Sequence, residues 1–294
     1  MNAVKQPRWF RYLALVQSKN YPFMSQQPTT TELVTRWRNS QSIPVNDQLV
    51  VEEPLEIRVA NQSLIVVMRT PGHDFELGAG FLFTEGLVES ADDIGAMAYC
   101  EDVGGTNLGN VINIRLVDGK VFGAEASWQR NFHANASCGL CGKMTIESVW
   151  QEIPPIKSSF QIERAVLYKL NERLKSAQDV FAETGGLHAA GLFNARGELQ
   201  IAREDIGRHN AVDKVIGQAL LSEQIPLDRH ILMVSGRASF EIIQKALFAR
   251  IPVITAVSAA SSLAVDLAKG SGMMLIGFMR DKNMTVYSCP ERMS

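Results

Sequence analysis

Two cysteines three positions apart, Cys138 and Cys141 in the stretch ASCGLCGK, are the residues of this sequence best suited to chemistry. A thiolate can attack a persulfide or disulfide sulfur and carry it away. Lys143 favours the thiolate, and glycines at 139 and 142 let a loop swing between a donor and an acceptor. The same spacing also serves as half of a zinc site, as a redox pair, or as a pair with no role. Structural zinc takes four ligands. Cys100 and Cys289 are isolated, and His133 alone leaves the set one short. A thioredoxin-like pair belongs where a strand runs into a helix. Residues 126–143 are instead rich in Ser, Asn, Gly and Ala, lack an apolar period, and read as an exposed loop. The spacing alone leaves these readings open.

A second concentration of chemistry lies at AREDIGRHNAVDK, residues 202–214, between a strand and a helix. A solvated charged turn is one reading. The other is an anion grip by Arg203, Arg208, His209 and Asn210, since free backbone N–H groups and the helix dipole point there. VSGRAS (234–239) and VSAASS (257–262) each follow an apolar strand and lead into a helix. Small residues at such a junction, here Ser235, Gly236 and Ser239, let a ligand approach backbone N–H groups, and Arg237 adds charge. GFMRDKN, 277–283, follows the next strand as a fourth loop. Ligands of open α/β sheets sit beyond the carboxyl ends of the strands. Four such junctions together favour a sizeable phosphate-bearing ligand. His188, in ETGGLHAAG, reads more as a packed histidine than as a catalyst.

The elements that must position these residues fall into two parts. The chain has 294 residues, 46% hydrophobic and 20% charged, enough for one large or two ordinary domains with a packed core. A formal net charge of −2 argues against sequence-independent nucleic-acid binding. Four scattered cysteines make no disulfide framework. Arg11 interrupts the apolar run of a poor signal peptide. No stretch reaches the roughly 18 apolar residues of a membrane span. The cytoplasm is the expected compartment. Residues 1–46 are polar and lack a clear period, and read as a flexible extension. Residues 47–160 read as a mostly β domain carrying the cysteine loop: strands at VVEEPLEIRV and LIVVMRT about a turn at Asn61–Ser63, a helix N-capped by Asp74, and a hairpin with Asp118 and Gly119 at its tip. Residues 161–294 read as an α/β domain. It opens with a surface helix over IERAVLYKLNERLKSAQ and a hairpin turning at Asn194–Gly197. Strands then alternate with helices, which predicts a largely parallel sheet.

Taken together, EEPLEIRV, MRTPGHDFELGAGFLFTEGLV, SCGLCGK, TGGLHAAG, REDIGRHNAVDKVIG, SGRASFEIIQKA, SAASSLAVDLA and MTVYS occur in an order and at spacings that resemble the formate dehydrogenase accessory sulfurtransferase family, FdhD. The first forty-odd residues lie outside the resemblance. Such a resemblance implies a protein that takes sulfur as a persulfide from a cysteine desulfurase. It hands that sulfur to the molybdenum (or tungsten) bis-pterin guanine dinucleotide cofactor destined for formate dehydrogenase. A homodimer is implied, as is a C-terminal three-layer α/β domain similar to the cytidine deaminase fold. Zinc deaminases carry H-x-E at one helix start and P-C-x-x-C at the next. The corresponding starts here read RASFEI and AASSLA, so no zinc and no deamination are expected. Matched to the family, Cys138 is the persulfide carrier and Cys141 assists or resolves. Phe278, Met279, Arg280, Asp281, Lys282 and Asn283 form the cofactor-binding segment. A chaperone that binds and delivers the cofactor without sulfur chemistry is the alternative.

Overall fold

The computed structural model describes residues 27–100, 109–117 and 154–294. The cysteine segment 126–143 and the expected hairpin tip at Asp118–Gly119 lie outside the described residues.

The chain's first described element corrects the sequence reading. Residues 29–46 do not belong to a flexible extension: β1 (Thr29–Arg38) and β2 (Gln41–Val50) pair antiparallel along their whole length. Asn39 and Ser40 turn the corner with φ of 47° and 65°, the left-handed pair that matches the twist of a two-residue hairpin. Thr recurs along β1 and Val occurs in both strands, and both residues suit an extended backbone. Leu33 and Trp37 nevertheless remain 71% and 70% exposed, so no face of the ribbon is consistently buried and the period of two is weak in the sequence.

Four strands form the N-terminal sheet in the order β4-β3-β6-β5: β3 (Glu53–Val59), β4 (Gln62–Arg69), β5 (Ile94–Tyr99) and β6 (Val111–Leu116). β3 and β6 run parallel; the outer pairs are antiparallel. Leu55, Ile57, Val59, Ile112 and Ile114 are fully buried in the core. Helix α1 (Asp74–Thr84) belongs to the same core. His73, not Asp74, is its cap residue, with a left-handed φ of 58°. Asp74 is the first helical residue and is buried. It takes two hydrogen bonds from the buried Arg69 guanidinium, at 3.1 and 3.0 Å, and one from the Tyr99 hydroxyl at 3.0 Å.

The two parts of the chain share one core. Helix α1 crosses α4 (Arg208–Leu221) where Gly80 faces Gly217. A Cβ on Gly80 would stand 1.9 Å from the Asp213 carbonyl oxygen, and one on Gly217 would stand 1.8 Å from that of Glu76. Only glycine lets the two backbones approach this closely. Leu77, Phe81 and Leu82 of α1 therefore pack in one cluster with Val212, Val215 and Ile216 of α4.

The C-terminal sheet has six strands in the order β12-β11-β10-β9-β7-β8. They are β7 (His188–Phe193), β8 (Leu199–Asp205), β9 (Ile231–Val234), β10 (Val253–Ala256), β11 (Met274–Arg280) and β12 (Asn283–Ser288). The sheet is mixed rather than largely parallel. Only β9, β10 and β11 pair parallel, while β11–β12, β7–β9 and β7–β8 pair antiparallel. Both hairpins join strands through short turns, too short for the crossover a parallel pair needs. Side chains alternate across the sheet. Leu232, Val234 and Ile254 face the core formed with α4, α5 (Phe240–Phe248) and α6 (Ser262–Ser271). Ile231, Met233, Val253 and Met274 face Leu167, Leu170 and Leu174 of α2 (Arg164–Lys175), which the short α3 (Asp179–Thr184) follows. Helices thus cover both faces, which gives three layers.

Strand direction decides what shares an edge. β8, β9, β10 and β11 all point the same way. β7 runs against them, so its first residue, His188, lies opposite Asp205 at the end of β8.

Candidate functional site

Asp205 ends β8 and is wholly buried, and its carboxylate organises the turn into α4. Oδ1 accepts from the Gly207 N–H at 2.7 Å and from Asn210 Nδ2 at 2.9 Å. Oδ2 pairs with Lys214 Nζ at 2.7 Å and accepts from the Thr70 N–H at 3.2 Å. Lys214, also buried, donates in turn to the Thr70 carbonyl at 3.0 Å. This charge pair fastens the start of α4 to the end of β4. With the turn fixed, consecutive residues 208 and 209 at the head of α4 point to the sheet edge.

His209 Nε2 lies 3.0 Å from Glu241 Oε2 and 3.2 Å from Ser239 Oγ, and Ser239 Oγ donates to Glu241 Oε2 at 3.2 Å. Burial would push the Glu241 carboxyl up. The hydrogen bond and charge of His209, with Ser239 and Arg208, outweigh it and hold that carboxyl below its ordinary range. Gly236 forms the floor between the β8 and β9 loops. A Cβ there would meet His188 Nδ1 at 3.4 Å and Arg208 Cδ at 3.8 Å. Burial, then the nearby charges of Arg208, His209 and Arg237, hold His188 below its ordinary pKa. Among the described residues Arg208 and Arg237 have no hydrogen bond or ion pair, and Arg237 is exposed. The edge therefore carries two uncommitted guanidiniums and two imidazoles within reach of backbone N–H groups, a setting suited to a phosphate or another anion.

The β9 and β10 loops are tied together. Ala238 N–H donates to the Ala259 carbonyl at 3.0 Å, and Ser261 N–H to that of Ala238 at 3.1 Å. Ser261 caps α6 through its hydroxyl. Ser235 belongs to the ladder, with its hydroxyl accepting from the Ala189 N–H at 2.9 Å. The β11–β12 turn comes next along the edge. Phe278 N–H donates to the Ser258 carbonyl at 3.0 Å. Phe278 has φ of 53° and is 49% exposed, an apolar side chain held out by a left-handed backbone. Arg280, Asp281, Lys282 and Asn283 are exposed around it.

Not every residue expected at the site reaches it. Arg203 spends its fork on Glu76, with Nη2 to Oε1 at 2.8 Å, and on Gln218, so it ties β8 to α1 and α4. Asn210 is spent on Asp205 and on the Met68 carbonyl at 2.8 Å. Met279 is 1% exposed, in the core on the α2 side, because it alternates with Phe278 on β11. Arg208, His209, Ser239, Gly236 and Arg237 lie together at the edge. Cys138 and Cys141 lie outside the described residues. Sequence reasoning weighed His188 but read it as packed, and it passed over Glu241. The small residues flanking His188 were the available signal, since they leave room around its ring. Glu241 sits two residues after Ser239 and has no such mark.

The FdhD/NarQ family model matches residues 50–294. The chain belongs to this family. Among its curated relatives, the protein of Streptomyces avermitilis named sulfur carrier protein FdhD is 48% identical over 275 residues, 90% of this chain and 96% of the relative. The one of Mycolicibacterium paratuberculosis bearing the same name is 47% identical over 270 residues, 90% of this chain and 99% of the relative. A solved structure from Desulfotalea psychrophila, described as a formate dehydrogenase accessory protein, superposes with a TM-score of 0.72 over 91% of this chain and all of that one. At 24% identity, that likeness shows the shared fold. The family match begins at residue 50, where the β1–β2 ribbon ends. No helix among the described residues is long and apolar enough to cross a membrane.

Proposed function

We propose that this protein is a sulfur carrier of formate dehydrogenase maturation, working through a persulfide on Cys138. The observation that carries the reading is the joint one: relatives named sulfur carriers align with 90% of the chain, and the matched range includes the C-x-x-C of Cys138 and Cys141. In this reading the Cys138 thiolate attacks the outer sulfur of a cysteine desulfurase persulfide. A new S–S bond forms on Cys138, the donor's S–S bond breaks, and the desulfurase cysteine leaves as its thiolate. The outer sulfur then passes to the acceptor, the molybdenum bis-pterin guanine dinucleotide cofactor bound as a substrate. Cys141 assists or resolves.

The carboxyl edge of the six-stranded sheet is the proposed seat of that acceptor. From β8 across β7, β9 and β10 to β11 are four strand spacings, about 19 Å, a span suited to an elongated dinucleotide. Arg208, Arg237, His209 and the N–H groups around Gly236 and Ser239 would take phosphate charge at one end. Phe278 would offer an apolar face to a ring at the other, flanked by Arg280, Asp281, Lys282 and Asn283. The domain is read as a cytidine deaminase-like layer given over to ligand binding. Cytoplasmic residence and a homodimer belong to the same proposal.

A Cys138→Ala variant should bind a guanine dinucleotide as the wild type does and fail to restore formate dehydrogenase activity in a strain lacking the carrier. Restored activity would refute the persulfide role and favour a delivery chaperone, which needs the edge but no thiol. Arg237→Ala should weaken dinucleotide binding about tenfold or more, in line with the loss of a charge-assisted hydrogen bond, and leave sulfur loading intact. An unchanged affinity would remove Arg237 from the site.

A further inference from the structure

His188 has a setting that the sulfur chemistry does not use. It begins β7, which runs against the strands that end at the same edge, and there it pairs with Asp205 at the end of β8. Among the described residues its imidazole has no hydrogen-bond partner. Gly236 leaves the room for it: a Cβ at that position would lie 3.4 Å from Nδ1 and 3.6 Å from Cε1. Arg208 and His209 face it from α4, Arg237 from the β9–α5 loop, and Asp205 from β8. Among the described residues the one opposing charge, Asp205, is already committed to Lys214, Gly207 and Asn210. A proton on His188 therefore meets two guanidiniums with no free carboxylate of the described residues to offset them.

We propose that His188 is a proton-linked anion ligand: neutral while the edge is empty, protonated when a pyrophosphate group occupies it. The inference rests on the reading of this edge as the dinucleotide seat. The physics is reciprocal. An anion between Arg208 and Arg237 cancels the field that keeps the imidazole neutral, and the imidazolium then donates to the anion's oxygen. Binding takes up one proton from solvent, and no bond other than the N–H forms. In the empty site burial and these neighbours hold the His188 pKa below its ordinary value; a bound anion would raise it, so affinity must fall as pH rises between the two. Slow release at low pH and easier release at higher pH follow for an acceptor that must be handed on.

The test uses the full-length protein and P1,P2-diguanosine pyrophosphate, a diester whose phosphates stay ionised throughout the range. Its affinity is measured by calorimetry from about pH 5 to about pH 8, a window that brackets the ordinary imidazole pKa. Wild type should lose about tenfold or more in affinity across that window, with one proton taken up on binding in buffers of different ionisation enthalpy. His188→Gln should bind with a flat profile and no proton uptake, and His209→Gln should keep the slope. A flat wild-type profile overturns the inference and leaves the seat standing. A slope lost in His209→Gln and kept in His188→Gln overturns it by moving the proton to His209. No binding by the wild type at any pH overturns the seat itself, and the inference with it.

Discussion

Asp205→Asn is the substitution by which the organisation of the edge is most sharply judged. The side chain keeps its shape and loses its charge. All four groups that address the carboxylate are donors: Gly207 N–H and Asn210 Nδ2 on one oxygen, Lys214 Nζ and Thr70 N–H on the other. Whichever way the new amide is turned, its NH2 faces two donors and loses both bonds. Lys214, 1% exposed, keeps its charge but loses the carboxylate's, left with neutral oxygens only: the Thr70 and Glu204 carbonyls and, in one orientation, the new amide's. Removing one partner of a buried pair costs about 3–5 kcal/mol. For a chain of this size that lowers the melting temperature by roughly 6–20 °C, at about 2–4 °C per kcal/mol. Urea unfolding at neutral pH would measure it. Asp205→Asn with Lys214→Met removes both charges, and the double variant should recover much of the loss, since a paired deletion leaves no stranded ion. A loss under about 1 kcal/mol in the single variant would refute the claim that this pair fixes the start of α4.

Three further outcomes follow from the same geometry. Gly217→Ala should destabilise by about 3 kcal/mol or more, because its Cβ would fall 1.8 Å from the Glu76 carbonyl oxygen. Gly270→Ala in α6 meets nothing within 4 Å and should be neutral or stabilising, so equal melting temperatures for the two variants would defeat the close-crossing argument. Thr255 is wholly buried with a hydroxyl that finds no partner among the described residues, so Thr255→Val should stabilise by about 1 kcal/mol, read by thermal unfolding. Glu76 bears on pH: burial raises its carboxyl pKa, but Arg203 and His73 outweigh that and hold it below the ordinary 4.5. Its share of stability is present above that ordinary value and is lost as pH falls through the lower folded value. Glu76→Gln should flatten that part of the acid unfolding profile, and an unchanged profile would show that the ion pair contributes nothing.

How much of this was legible in the sequence varies element by element. Strand–helix alternation after residue 187 showed through because each strand is an apolar run and each helix an amphipathic one. The hairpin at Asn194–Gly197 also showed through, and with it the antiparallel β7–β8 pair. The antiparallel turn at Asp281–Lys282 did not, outweighed by the strand–helix alternation before it. The ribbon at 29–50 was hidden because both its faces meet solvent, as Leu33 and Trp37 attest. At the site, residue type pointed to Arg208, His209, Ser239 and Arg237, which lie at one edge of the sheet. Type alone could not tell a free guanidinium from a spent one. Arg203 looked equivalent to Arg208, and only the approach of Glu76, 127 positions away, distinguishes them. Met279 failed for a simpler reason, since β-strand alternation sends every second residue of the turn inward. Gly80 and Gly217 carry no sequence signal of the helix crossing that requires them.

Intact-mass spectrometry after incubation with a cysteine desulfurase and cysteine tests the central claim most directly, on wild type, Cys138→Ala and Cys141→Ala. The account predicts a reductant-labile gain of about 32 Da in wild type and in Cys141→Ala, and none in Cys138→Ala. A gain that survives in Cys138→Ala and disappears in Cys141→Ala would move the carrier to the second thiol. No gain in any form, with the dinucleotide still bound, would contradict sulfur carriage by this chain.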